Sequence, residues 1–178
     1  MKNKQEKQMS ISNILEFLKY FMTHKYYVFI ECFKRGLIWR GLVHDLSKFL
    51  PSEFPYHMRN YFYMKNGNLI KTNNNYKVYN TGDINLDFAW LLHQKRNKHH
   101  WQWWTVPTDE GSLRIFEIPE PYLTEMICDW LGAGKAKGFF SPKDDPYFEL
   151  RKWFTYSVKN MQLHPNTRNE IEKKIGIK

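Results

Sequence analysis

Gly41-Leu42-Val43-His44-Asp45-Leu46-Ser47-Lys48 is the stretch whose reading decides how this chain folds and what it holds. An apolar run turns polar at His44. The first two polar residues are an imidazole and a carboxylate, side chains that together hold divalent metals such as Zn, Fe, Mn and Ni. A short helix ending here delivers both ligand types to one pocket. Working outward, residues of the same kind recur in the order His24, His44-Asp45, His93, His99-His100, Asp129.

The segments around them read as helices. Ser12 caps a helix running to about Arg35 and stopped by Gly36. Phe17, Phe21, His24 and Val28 recur at helical spacing, which puts His24 on an apolar, inward face. A short helix over about Leu37 to His44 ends in the His-Asp-Leu-Ser-Lys turn, and Ser52 caps another over about Glu53 to Met64. Lys65 to Asp83 is polar and reads as a long loop, with room for a small hairpin at Asn66-Gly67. A long helix is expected over Leu86 to Trp103, followed by a loop containing Pro107, Gly111 and Pro119. Pro121 to Leu131 is a helix carrying Glu125 and Asp129, and Gly132 to Gly138 a glycine-bearing loop. Helices over Pro146 to Met161 and Pro165 to Ile175 complete the chain. With no sustained alternation and no internal repeat, the expectation is an all-α fold. It is a single domain over residues 1–178, with a flexible arm at about 1–11 and one long polar loop at about 65–83.

Composition narrows the class. The 178 residues suffice for one real core, and the 17% aromatic content argues for packing over disorder. A net charge of +9 favours anionic partners such as nucleotides, nucleic acid or acidic surfaces, and with the aromatic content it suits a nucleotide as small anionic substrate. Nucleic acid fits the charge but has no motif here, and lysines gathered at the two ends also read as plain solvated surface. Cys32 and Cys128 form no Cys-x-x-Cys motif and no disulfide framework, which suits buried thiols in a reducing cytosol. The apolar run from Ile14 to Phe33 is broken by Glu16, Lys19, His24, Lys25 and Glu31, so it is neither a signal peptide nor a membrane span. A cytoplasmic protein is expected.

On one continuous helix over 86–103, His93 and His100 face the same way about 10 Å apart, with Asn97 between them and His99 about 100° around. That spacing predicts a bracket around two metals, or one metal and one substrate group. It also suits capping or stacking among Trp101, Trp103 and Trp104. Glu125 shares a helix face with Asp129 and can orient a ligand histidine or form a surface ion pair. Lys48 can neutralise charge on a phosphoryl group. Lys135, in the glycine-bearing segment with Lys137, can bind phosphate, although no GxxxxGK[ST] is present. Glu53 either reaches the site or serves as an N-terminal helix charge. His57 reads as structural or rim, and His164 as surface.

The blocks His24-Lys25 to Cys32 with Gly36-Leu37, Gly41-Leu42 to Phe54, His93-Gln94 through Asn97 to Trp101, and Glu125-Met126 to Trp130 resemble the HD superfamily of metal-dependent phosphohydrolases and its diiron oxygenase relatives. Many members carry Lys or Arg three residues after the Asp, as Lys48 stands here. More narrowly, the chain is similar to the uncharacterised DUF5662 family of bacteria and phages. The resemblance implies an HD-like helical bundle. It implies that His24, His44, Asp45 and Asp129 hold a main metal, while His93 and His100, joined by His99, hold a second metal or the phosphate. Lys48, Asp45 and Glu125 would act at the chemistry, and Lys48, Asn97, His99 and Lys135 would face the substrate. The activity implied is phosphoester hydrolysis by metal-activated water. The alternatives are an HD-type diiron oxygenase and a non-catalytic, phage-encoded module that binds a nucleotide. One or two divalent ions are expected, with Mn, Fe, Mg, Zn and Ni undistinguished, and substrate and oligomeric state stay open. The 65–83 loop and the His99-His100 doublet depart from the simplest HD pattern.

Overall fold

The computed structural model describes residues 11–65 and 84–177. The N-terminal arm and the long polar loop with its expected hairpin therefore lie outside the described residues, apart from Ile11 and Lys65. Helix α1 (Ile11–Lys34) buries Phe17, Phe21, His24, Val28 and Cys32 on one face, following their helical spacing. It begins before Ser12, which lies inside its first turn instead of capping it. The chain leaves α1 through Gly36 at φ 74°, a left-handed conformation that glycine adopts without steric cost. Then come α2 (Ile38–Val43), a 3-10 turn (Leu46–Phe49), α3 (Phe54–Lys65) and α4 (Ile84–Arg96). A second 3-10 turn (Trp101–Trp104) leads to strands β1 (Thr105–Pro107) and β2 (Leu113–Ile115), and α5 (Glu120–Ala136), α6 (Phe148–Ser157) and α7 (Pro165–Ile175) close the described chain.

Three packed seams organise these helices. Phe17 and Phe21 of α1 pack with Met58 of α3, flanked by Phe54 and Tyr61. Leu123, Met126, Ile127 and Leu131 of α5 meet Leu150 and Phe154 of α6 and Ile171 and Ile175 of α7. Between these two layers α1 lies against α5, where Val28, Cys32 and Cys128 are buried together. Gly132 permits that approach. A Cβ there would lie 2.4 Å from Val28 Cγ2 and 2.8 Å from the Val28 backbone nitrogen.

The helical class holds, and four further details differ from the sequence reading. Gly132 and Gly134 lie inside α5, which runs to Ala136; at Gly132 close packing on Val28 outweighs the low helix propensity of glycine. The segment read as a loop after residue 104 contains an antiparallel hairpin pairing Thr105 with Ile115 and Pro107 with Leu113. The helix expected over 146–161 is shorter and ends in a 3-10 turn, Val158–Asn160. Most consequential for the site, α4 stops at Arg96 and does not continue to Trp103. No helix among the described residues is long and apolar enough to cross a membrane.

Candidate metal centre

Four segments bring ligands to one place. His24 comes from the buried face of α1. His44 and Asp45 occupy the tight turn between α2 and the first 3-10 turn, where Asp45 adopts φ 57° and ψ 20°. Asp is one of the few residues that tolerate this left-handed region. Lys25, one residue after His24, pins the turn to α1 by donating from Nζ to the carbonyls of Leu42 (3.0 Å) and His44 (2.7 Å). Asp129 projects from α5.

The fourth segment is the end of α4. Asn97 Nδ2 donates back to the carbonyl of His93 (2.8 Å) and across to Ser47 Oγ (2.8 Å). Such local side-chain bonding competes with helix continuation. The chain turns through residues 97–100, and the geometry expected of one straight helix is replaced. His99 no longer points away, and His93 and His100 no longer stand two turns apart on one rod. His93, His99 and His100 instead converge with Asp45, offering ligand atoms all within 4.8 Å of one another. His24, His44, Asp45 and Asp129 form a second such group.

Asp45 belongs to both groups and presents a different oxygen to each. Its Oδ1 lies 3.3 Å from His93 Nε2 and 3.2 Å from His99 Nε2. Its Oδ2 lies 3.6 Å from His24 Nε2 and 3.5 Å from His44 Nε2. Asp129 Oδ1 completes the latter group at 3.3 Å from His24 Nε2 and 3.4 Å from His44 Nε2. Among the described residues, Nε2 of His24, His44, His93 and His99 and Oδ1 of Asp45 are buried and make no hydrogen bond. Buried polar atoms are rarely left so. Lone pairs aimed at a common centre, near carboxylates but not bonded to them, are what a cation would satisfy, so the residues present fit a metal.

The model of DUF5662, a family of unknown function, matches residues 13–177. The chain belongs to DUF5662. No curated protein and no solved structure matches it.

In this DUF5662 chain two buried carboxylates stand behind the histidines. Glu125 Oε1 lies 3.1 Å from His44 Nδ1 and 3.2 Å from His99 Nδ1, and Arg40 Nη1 donates to its Oε2 at 3.0 Å. Both Glu125 oxygens are thus engaged, and the side chain is buried behind the two imidazoles. Glu53 Oε2 lies 2.9 Å from His93 Nδ1 and accepts from Ser47 Oγ at 2.9 Å, while Arg96 donates to Oε1 at 2.5 Å. These bonds direct each Nε2 lone pair inward. His57 Nε2 lies 3.5 Å from Glu53 Oε2. Burial drives the His57 ring down to about 4 despite that carboxylate.

Charge balance follows from the same contacts. Burial alone would raise the Asp45 and Asp129 carboxyls, but adjacent histidines, and Lys48 beside Asp45, hold both well below the usual range. Burial likewise opposes ionisation of Glu125, yet His44 and His99 bring it down to about 2. Burial disfavours a charged His44, and Asp45, Asp129 and Glu125 outweigh it to push the ring up to about 10. This surplus of negative charge binds a proton at His44 or, in its stead, a metal.

The other sequence candidates separate clearly. Lys48 lies at the centre, with Nζ 2.5 Å from Asp45 Oδ2. Asn97 Nδ2 is engaged by Ser47 Oγ and the His93 carbonyl. Lys135 is drawn to Glu31 at 2.6 Å on the α1–α5 seam, and the phosphate loop expected around it is helix. His164 caps α7, its Nδ1 accepting from the Asn166 amide at 3.3 Å. Ser47, Arg40 and Arg96 carry no metal-ligand signature, and sequence reasoning passed over them. Ser47 alone had a signal, lying two residues after Asp45.

Proposed function

We propose that this protein is a metal-dependent hydrolase of small phosphoesters, related to the HD superfamily, with two metal positions that share Asp45. The observation that carries the reading is the convergence of buried, unbonded ring nitrogens on both oxygens of one aspartate. His24, His44, Asp45 and Asp129 would hold one ion, and Asp45, His93, His99 and His100 the other. A bound divalent ion supplies Lewis acidity and activates water for attack on phosphorus.

Exposure supports one side of the centre as the substrate side. The Asp129 side chain is 14% exposed and that of Lys48 18%, against 0% for His93 and 3% for His99. A substrate on this reading meets Asp129 and Lys48, while His93 and His99 lie deeper. Burial works against a charged Lys48, but Asp45 and Asp129 outweigh it and keep the ammonium protonated. Lys48 at the rim binds a phosphoryl oxygen and offsets the negative charge that grows as the ester P–O bond breaks. The chain's net charge of +9 suits an anionic substrate such as a nucleotide.

A second reading rests on the deeper group. Three imidazoles on one centre also suit iron, which favours the diiron oxygenase alternative. Protein purified without chelator, analysed for metals and assayed against nucleotides and other phosphoesters, tests both. Phosphate release that depends on added divalent metal supports the hydrolase. Bound iron with O₂ uptake and no phosphate release favours the oxygenase. Absence of bound or bindable metal removes both.

A further inference from the structure

Glu125 touches histidines of both ligand groups through one atom. Its Oε1 lies between His44 Nδ1 at 3.1 Å and His99 Nδ1 at 3.2 Å, and the two rings are 4.3 Å apart between centroids. One carboxylate oxygen has two lone pairs, enough to accept both N–H groups. A neutral imidazole that donates from Nδ1 has its lone pair on Nε2. His44 Nε2 is directed toward Asp129 and Asp45 Oδ2, and His99 Nε2 toward Asp45 Oδ1. Arg40 fills the other oxygen and lies over the Tyr122 ring, its guanidinium carbon 4.0 Å from the centroid, so the carboxylate is clamped from behind. Glu53 differs, because among the ligand histidines it is bonded to His93 alone.

We propose that Glu125 is a positioning residue shared by the two metal positions, its single Oε1 setting the tautomer and direction of one ligand histidine in each, whereas Glu53 serves the deeper position only. The proposal rests on the two-position reading above. It makes the positions interdependent behind the ligands as well as through the bridging Asp45. Losing the Glu125 charge weakens both together, and losing that of Glu53 weakens one.

Cobalt(II) titration of the full chain tests this, followed by visible absorption and by bound metal after gel filtration, with circular dichroism confirming the fold of each variant. The wild type is expected to take two equivalents. Glu125→Gln is expected to weaken both by about ten-fold or more, within the range for loss of a group that orients a ligand. Glu53→Gln is expected to weaken one and leave the other at its wild-type affinity. Arg40→Gln leaves the carboxylate in place without its clamp and should weaken both more mildly. It also keeps the test decisive should Glu125→Gln fail to fold. One equivalent retained at wild-type affinity in the folded Glu125→Gln protein, or in Arg40→Gln where that is the folded variant, would overturn the shared role while leaving the two positions standing. Fewer than two equivalents in the wild type would instead overturn the two-position reading, and the proposal with it.

Discussion

Asp45 is the one non-glycine residue with positive φ among the described residues, and both of its carboxylate oxygens face candidate ligands. Asp and Asn tolerate this backbone, whereas Ala pays about 1–2 kcal/mol for it. Asp45→Asn and Asp45→Ala are therefore both expected to lose metal from both groups, read as moles of metal per mole of protein. Urea unfolding should find the Ala variant less stable than the Asn variant by about 1 kcal/mol or more. Equal stabilities would show that the turn is unstrained. Lys48, at the rim, calls for the opposite pattern. Lys48→Ala should keep its metal and lose about ten-fold or more in phosphoester turnover, and steady-state kinetics beside metal analysis separates the two effects. At this scale the ligand types were legible in sequence, since imidazole and carboxylate declare their chemistry. The left-handed turn that lets one aspartate serve two groups was not.

At the scale of elements, the seam between α1 and α5 supports the centre from below. Gly132→Ala would gain helix propensity of about 1 kcal/mol, but its Cβ would collide with Val28, backbone included. Net destabilisation of roughly 1–3 kcal/mol is expected in denaturant unfolding. Val28→Ala should restore little of it, because the clash with the Val28 nitrogen remains. Glu31 ties the same seam through Lys135 at 2.6 Å, and holds the turn just past α1 through Arg35 at 2.7 Å. Burial alone would raise its carboxyl, but Lys135, Arg35 and Lys34 hold it at about 2, below the ordinary 4.5. On acidification the unfolded chain takes up this proton first. The stabilisation is therefore complete above about pH 4.5 and disappears as the pH falls to about 2. Glu31→Gln should lower stability at pH 7 by about 2 kcal/mol and flatten the decline below pH 4.5, measured by urea titrations across that range. The periodicity of α1 was plain in sequence because it repeats within one helix. The end of α4 at Arg96 was hidden, since Asn97 is held partly by Ser47 from a different element.

For the whole molecule, cations bound at the two positions would join α1, the His-Asp turn, α4 with the segment after it, and α5. These ligands are gathered only in the folded chain, so a metal at about 100 times its Kd should add about 2.7 kcal/mol. For a chain of this size, chelation should lower Tm by roughly 5–10 °C, with recovery on adding metal back, read by circular dichroism. A Tm indifferent to chelator and to added metal would count against metal binding. The amino-acid sequence by itself determined the helical class, the inward face that carries His24, the His-Asp turn, and Asp129 at helical spacing from Glu125. Those properties depend on neighbours within a turn or two along the chain. Only the tertiary structure decided that His99 joins His93 and His100 on Asp45, that Glu125 reaches two histidines at once, and that Gly132 marks helix packing and not a loop. Each depends on a partner distant in sequence, and no local spacing records whether that partner arrives.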